Sequence, residues 1–373
     1  MKVMTVFGTR PEGIKMAPII KELEKRPGVE SIICITAQHR QMLDQVLNLF
    51  DIKPDYDLNI FSPGQTLTGI TTRALDGLEK VILKEKPDVL LVQGDTTTVF
   101  AGALAAFYQK VKIGHVEAGL RSGNIYSPYP EEANRMLTGI MTEYHFAPTE
   151  KNKENLLKEN YSDEKIYITG NTVIDALKYT IKPDYKFELD LLNDLDYENK
   201  RVILLTCHRR ENLGKPMENI FKAMKDIVTK YEDVEVVFPM HLNPKVREIA
   251  NSILGGDERI HLLEPFDYEP MANLMSKVEL VVTDSGGLQE EAPTFGIPVL
   301  VVREETERPE GVEAGTAKLL GTSYDNLYNE LDLLLSNEDE YNKMANAVNP
   351  YGDGNAAKRI VDILVESMGG ENL

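Results

Sequence analysis

Basic residues are scarce in this chain: 41 Lys and Arg stand against 60 Asp and Glu, for a net charge of -19 over 373 residues. Phosphate neutralisation needs a basic surface, so non-specific nucleic-acid binding is excluded, and any anionic ligand must be held by a local site. Cysteine is nearly absent. Cys34 and Cys207 lie in or beside apolar runs, which fits small buried thiols and excludes a disulfide framework or a cysteine-rich metal site. No hydrophobic stretch is long enough for a signal peptide or a membrane span, and the opening "MKVMTVFGTR" reads as a short strand running into a loop. A reducing, cytoplasmic compartment is expected, so the sequon "NYS" at 160–162 is read as chance. No internal repeat of solenoid period is visible.

Several ligand motifs are also missing. "GTRPEGIK", residues 8–15, nearly spells a Walker A loop, but Gly13 is followed by Ile14 and Lys15 instead of a Lys-Ser/Thr pair. The magnesium-binding hydroxyl is then absent and an NTPase reading is weak. No G-x-G-x-x-G supports a nicotinamide site. Histidines and carboxylates show no tight spacing such as H-x-x-x-H, so neither a metal nor a cofactor is assigned.

What is present is a strand-helix rhythm. The length suits two domains of about 150 to 200 residues each, and 42% apolar residues is a globular content. "KVMTVF", "SIICIT", "DVLLVQ", "VKIGHV", "YHFAP" and "KIYIT" form one set of β-branched runs; "RVILLT", "VEVVFPM", "RIHLL", "VELVVT" and "PVLVV" form a second. Continuous apolar strands between helix-length segments mark parallel sheets covered on both faces. The class is α/β, twice over. Between the sets "IKPDYKFELDLLNDLDYENK" is charged and proline-marked, as an interdomain connection would be. Residues 1–172 and 173–355 are read as the two domains, and the helical pattern over 356–373 could pack back on the first. Ligands in doubly wound sheets bind beyond the carboxyl ends of the strands, so two such sheets facing each other would form a cleft lined by strand-end residues.

Polar residues follow the strands as that expectation requires. They include Arg10 and Lys15, Asp95, His115, Glu117 and Arg121, and Glu131 behind Pro130; later come "CHRREN", His241, "DSGG" and "REETERPE". Arg10 and Lys15 lie either in a solvated loop or, with glycines on both sides, against an anion. Asp95, Glu117 and Glu131 are three carboxylates expected to converge, and like charges brought together raise one another's pKa into a range useful for acid-base work. Asp95 could instead cap the helix "TTTVFAGALAAF", and Glu131 could pair with Arg135 one turn on. Glu117 shares a strand face with His115, where a buried charge is costly without a task. His208 reads as a surface histidine or, flanked by Arg209 and Arg210, as one with an anionic neighbour. "TDSGGLQEEA", residues 283–292, ends a strand in Ser-Gly-Gly and enters a helix with two glutamates. Close backbone approach to a diphosphate, beside acids for ribose hydroxyls, satisfies both features.

"FGTRPEGIKMAPI", "VQGDTTT", "HVEAGLRSG", "PEEANR", "CHRREN", "DSGGLQEEAP" and "ETERPE" together resemble the non-hydrolysing UDP-N-acetylglucosamine 2-epimerases, in order from residue 7 to about residue 315. The resemblance implies two Rossmann-like, doubly wound domains of the glycosyltransferase-B type facing across a cleft. It implies no metal or nicotinamide, and interconversion of UDP-GlcNAc with UDP-ManNAc for envelope polysaccharide synthesis. Amides of Ser285, Gly286 and Gly287 would then cradle the diphosphate of UDP, with Glu291 on the ribose. Arg10, Lys15, His208 and Arg308 would approach UDP, and "PFDYEPM", with Phe266 and Met271, would meet the uracil. Because C2 of the sugar is not next to a carbonyl, family chemistry eliminates UDP to a 2-acetamidoglucal and adds it back with the proton on the other face. Asp95, Glu117 and Glu131 are the candidate acids and bases, with His208 assisting the leaving group.

Rivals on the same residues are a glycosyltransferase of the same fold, a non-catalytic nucleotide-sugar sensor, and the hydrolysing epimerase, whose larger forms carry a kinase domain for which this chain has no room. Relatives point to a homodimer. "TAQHRQMLDQ", residues 36–45, places Gln38, His39 and Gln41 after the second strand. They either begin a helix or, as in the bacterial members this chain resembles, bind a second UDP-GlcNAc as an allosteric activator.

Overall fold

The computed structural model describes residues 1–369. It divides into two compact units, one made of Met1–Tyr179 with the chain from Tyr351 onward, the other of Thr180–Pro350.

The first unit is built on a seven-stranded parallel sheet. Its strands are β1 Lys2–Phe7, β2 Glu30–Ile35, β3 Tyr56–Asp57, β4 Val89–Gln93, β5 Lys112–Val116, β6 Tyr144–Ala147 and β7 Ile166–Ile168, in the order β3-β2-β1-β4-β5-β6-β7. Five helices matter for the site: α1 Arg10–Glu24, α2 Arg40–Leu49, α3 Leu67–Glu85, α4 Thr97–Tyr108 and α5 Glu131–Met141. Met4, Val6, Leu90 and Val92 turn one face of the sheet into a core with Ala74 and Leu78 of α3 and Ala101 and Ala105 of α4. The small residues of α4 let α3 and α5 pack closely on either side of it. Gly13 lies inside α1, where an added Cβ would stand 3.0 Å from Leu43 Cδ1 and 3.1 Å from Val46 Cγ1 of α2. It therefore serves helix packing, and the Walker-like stretch is mostly helix, with no long phosphate loop. The carboxyl-terminal helix Ala356–Gly369 returns to this unit and packs on α1, with Arg26 Nη2 2.5 Å from Asp362 Oδ1. Its first turn is capped by Asp175, whose two oxygens accept the amides of Ala356 and Ala357. Of the helical stretch expected over 356–373, positions 370–373 lie outside the described residues.

The second unit has six parallel strands: β8 Arg201–Thr206, β9 Val234–Pro239, β10 Ile260–Leu263, β11 Leu280–Thr283, β12 Val299–Val301 and β13 Ala317–Leu319, in the order β10-β9-β8-β11-β12-β13. Ile203, Leu205, Val236 and Phe238 pack there on Phe221 and Met224 of the helix Lys215–Lys230, each such side chain worth about 1.5 to 3 kcal/mol when fully buried.

Both units are thus α/β and doubly wound. In each sheet the strand order reverses at a switch point, between β1 and β4 and between β8 and β11, where ligands of such sheets bind. Arg10 and Lys15, Asp95, His208 and Asp284 follow those four strands, whereas Glu117 follows β5 and Arg308 follows β12. The structure adds the short strands β3 and β13, which the sequence pattern does not show. Among the described residues no helix is long and apolar enough to cross a membrane, and no group of three or more His, Cys, Asp or Glu is arranged to hold a metal ion.

Candidate active site

At the first unit's switch point a pocket of about 380 Å³ is lined by Arg10, Gln38, His39, Thr96, Glu131 and Asn134, among others. Arg10 is the first residue of α1, so its main chain is helical and not a solvated loop. Glu131 opens α5. The pairing expected of it with Arg135 belongs instead to its neighbour: Arg135 Nη1 donates to Glu132 Oε2 at 2.7 Å. Arg135 also reaches Asp95, through Nε at 2.8 Å and Nη2 at 2.7 Å. Asp95 therefore does not cap α4. Thr96 does, accepting the Val99 amide, while Asn134 Nδ2 holds the Asp95 carbonyl at 2.9 Å.

Glu117 lies one residue past β5 with φ +66°, a left-handed backbone that costs a non-glycine residue about 1 to 3 kcal/mol. The strand alternation that would set it beside His115 is broken there. Its carboxylate takes Lys15 Nζ at 2.6 Å and a short hydrogen bond from Gln93. Lys15 thus neutralises the Glu117 carboxylate. His115 is buried, bonds the Gly94 carbonyl at 2.7 Å, and is pushed down to about 4 by burial. Arg121 is held by both oxygens of Glu159.

Gln38 is only 9% exposed; its side-chain oxygen accepts from Thr98 Oγ1 at 2.9 Å and its carbonyl from Gln65 Nε2 at 3.2 Å. His39, exposed, lines the same pocket. Gln41 is exposed on the first turn of α2 and is not among the lining residues, which departs from the common face expected of the three.

At the second unit's switch point His208 follows β8 and Asp284 follows β11. The anionic neighbour expected of His208 is Asp284 itself, fully buried. Its Oδ2 accepts the amides of His208 and Arg209, each at 2.8 Å, and Asn212 Nδ2 at 3.0 Å; its Oδ1 lies 3.2 Å from His208 Nδ1. The Nδ1–Oδ1 contact is an ion-pair distance without a hydrogen bond. Burial holds the imidazole below its ordinary pKa, opposed by Asp284, and the ring stacks on His241 at 5.5 Å.

Ser285 is the N-cap of the helix Gly286–Glu291. Its own amide donates to Thr283 Oγ1 at 2.9 Å, while the amides of Gly286 and Gly287 open the helix without intrahelical acceptors. A Cβ on Gly286 would stand 3.0 Å from Arg308 Cζ, so glycine there lets the guanidinium lie over the helix start. Arg308 is steadied by Glu290, at 2.9 Å from its Nε, and by Glu307. Glu291 is half-buried; burial and then its carboxylate push the Tyr268 phenol well above its usual value. Phe266 is half-buried before the helix Tyr268–Met275, which carries Met271.

The sequence model described as UDP-N-acetylglucosamine 2-epimerase matches residues 21–365. The chain belongs to that family. The UDP-N-acetylglucosamine 2-epimerase of Bacillus subtilis (strain 168) is 57% identical over 366 residues, 98% of this chain and 95% of the relative. That of Escherichia coli (strain K12) is 54% identical, covering 98% of each. Among solved structures, the UDP-GlcNAc 2-epimerase of Neisseria meningitidis bound to UDP-GlcNAc is 51% identical with TM-score 0.85, over 98% of this chain and all of that one.

Epimerase motifs led to Arg10, Asp95, Glu117 and His208, but not to the residues that hold them. Asp284, Gln93, Glu132 and Glu290 stand inside the quoted motifs, but nothing in the sequence names their partners: Asp284 meets Asn212 from 72 residues away and Gln93 meets Glu117 from 24. Glu12 is a further omission. It could have been suspected as an acid in the first turn of a helix that follows a strand end.

Proposed function

We propose that this chain interconverts UDP-N-acetylglucosamine and UDP-N-acetylmannosamine in the cytoplasm, by eliminating UDP across C1 and C2 and adding it back. The full-length family match carries the reading, and the site chemistry supports it. In the second unit, Gly286, Gly287 and Arg308 suit a departing diphosphate, Glu291 a ribose, and His208, oriented by Asp284, the leaving oxygen. Phe266 and Met271 are assigned to the uracil. In the first unit Asp95, Glu117 and Glu131 are the candidates for the C2 proton, with Arg10 nearby as an anion partner. A glycosyltransferase would need an acceptor and would leave UDP-GlcNAc alone without one.

The test is proton NMR of UDP-GlcNAc with the protein in deuterated water. Deuterium should enter C2 during turnover, and isotope should scramble between bridging and non-bridging oxygens of the anomeric phosphate. Epimerisation with retained C2 hydrogen would rule out elimination; binding without turnover would leave a sensor.

Two finer readings go with it. Homodimerisation is supported by the apolar side chains that α4 and α5 expose, Phe107 at 55%, Tyr108 at 61% and Ile140 at 73%; Ile140→Glu should yield monomers in light scattering. A second UDP-GlcNAc as activator is supported by the pocket that Gln38 and His39 line with Arg10 and Glu131. Such an activator must favour the active state over the inactive one. Pure UDP-ManNAc should then show a lag that a trace of UDP-GlcNAc abolishes, and full initial velocity without it would end the case.

A further inference from the structure

Glu12 stands in the first turn of α1 and is 1% exposed. Glutamates at this position commonly reach back to amides at their own helix start, in open solvent. Part of that pattern is here: Oε2 accepts the Gly8 amide at 3.1 Å, and the N-cap Thr9 also favours the carboxylate through its amide and hydroxyl. The other oxygen leaves the helix altogether, accepting the hydroxyl of Thr96 at 2.7 Å. Thr96 lies 84 residues away in sequence, at the N-cap of α4.

A cap does not require this arrangement. These partners are all neutral, and burial without a counter-charge pushes the carboxyl up to about 7. A glutamine would bond the same amide with no charge to desolvate. What the two arms connect supplies a reason. Gly8 and Thr9 deliver Arg10, while Thr96 follows Asp95 directly, and Thr9, Arg10 and Thr96 line one pocket. The ladder between β1 and β4 ends at Thr5 and Leu91. Beyond that point Glu12 bridges the two departing loops. Arg135 grips the Asp95 carboxylate from the α5 side and Asn134 its carbonyl, so Glu12 adds a tether on the opposite flank.

We infer that Glu12 is a positioning residue, which holds the Asp95 loop in register with the Arg10 loop and so sets where the Asp95 carboxylate stands during C2 chemistry. This rests on the epimerase reading above. Misplacement of a reacting group by about 1 Å can cost on the order of 100-fold in rate, so a loosened tether should show in turnover before it shows in binding.

The test compares Glu12→Gln, Glu12→Asp and Thr96→Val with the wild type for kcat and KM on UDP-GlcNAc, with thermal melts alongside. Gln keeps the reach but presents a donor to the Thr96 hydroxyl; Asp keeps the charge but is too short to span both partners; Val leaves the Gly8 bond but removes the hydroxyl and with it the α4 cap, a loss that the melt reads separately. Each should lower kcat about tenfold or more while KM stays within about twofold. If Glu12→Gln does not fold, the other two variants decide. Because Glu12 acts through Asp95, adding Glu12→Gln to Asp95→Asn should cause no further loss. Multiplying losses, or a changed melt with wild-type kcat, would overturn the inference while the epimerase reading stands. A wild type that neither epimerises nor exchanges C2 hydrogen would overturn both.

Discussion

Glu117 and Glu291 are both acids at strand or helix ends, yet their surroundings differ, and the proposed reaction gives them different work. Glu117 is held by Lys15 and Gln93 on a strained left-handed backbone, and strain of that kind is retained where geometry matters to function. Glu117→Gln should keep UDP affinity, measured by calorimetry, and lose about 100-fold or more of turnover, the usual size of a general base's contribution. Glu291→Ala should mainly weaken UDP binding. A Glu117→Gln enzyme altered only in KM would remove Glu117 from the chemistry. Asp284→Asn tests His208 in the same way: the fold of the loop can survive on the amide oxygen, but the ring loses the charge that orients it. Turnover should fall about tenfold or more, with UDP affinity nearly kept.

Elements account for what the sequence made legible. Strands buried on both faces need continuous apolar runs, so the runs of β1, β4, β8 and β11 were legible, but not that these four flank the switch points, which depends on sheet order. β3 and β13 are two and three residues long; strands of that size are fixed by pairing with a neighbour, and no pattern in the chain announces them. Side-chain tethers were illegible for a related reason, since Arg135 finds Asp95 only after two helices and two strands have been placed. Glycines at element ends divide by what surrounds them. A Cβ on Gly8 would stand 2.0 Å from Thr36 Oγ1 and 2.7 Å from Thr98 Oγ1, both fully buried. Gly8→Ala should therefore destabilise the first unit by about 1 to 3 kcal/mol, the cost of overpacking, read as a lower denaturant midpoint. On Gly286 the neighbour is the guanidinium end of the long Arg308 side chain. Gly286→Ala should leave the melt nearly unchanged and weaken UDP binding several-fold by displacing the guanidinium.

At the scale of the molecule, buried titrating groups give the first unit a pH optimum. His115 and His145 are pushed from 6.5 to about 4 and about 3, chiefly by burial. The stability they lend is present above 6.5 and is lost as pH falls. Glu12 runs the other way, raised from 4.5 to about 7, so its contribution is present below 4.5 and lost as pH rises. Between 4.5 and 6.5 the unfolded state holds about one proton more than the native state on these three groups, and stability should climb by roughly 1.4 kcal/mol per pH unit. Above 6.5 only Glu12 still titrates, and the curve should turn slightly down. Urea midpoints from pH 4.5 to 8 should show that maximum, and Glu12→Gln should steepen the rise and abolish the decline.

The chain leaves the first unit after Tyr179 and re-enters it at Tyr351, which fixes an order of events during synthesis. The last helix of the first unit reaches α1 only after the whole of 180–350 has been translated. At roughly 5–20 residues per second that interval is about 10 to 30 s. The second unit, one unbroken stretch, can close its core in that time, while the flank of α1 that the last helix covers stays uncovered until the helix arrives.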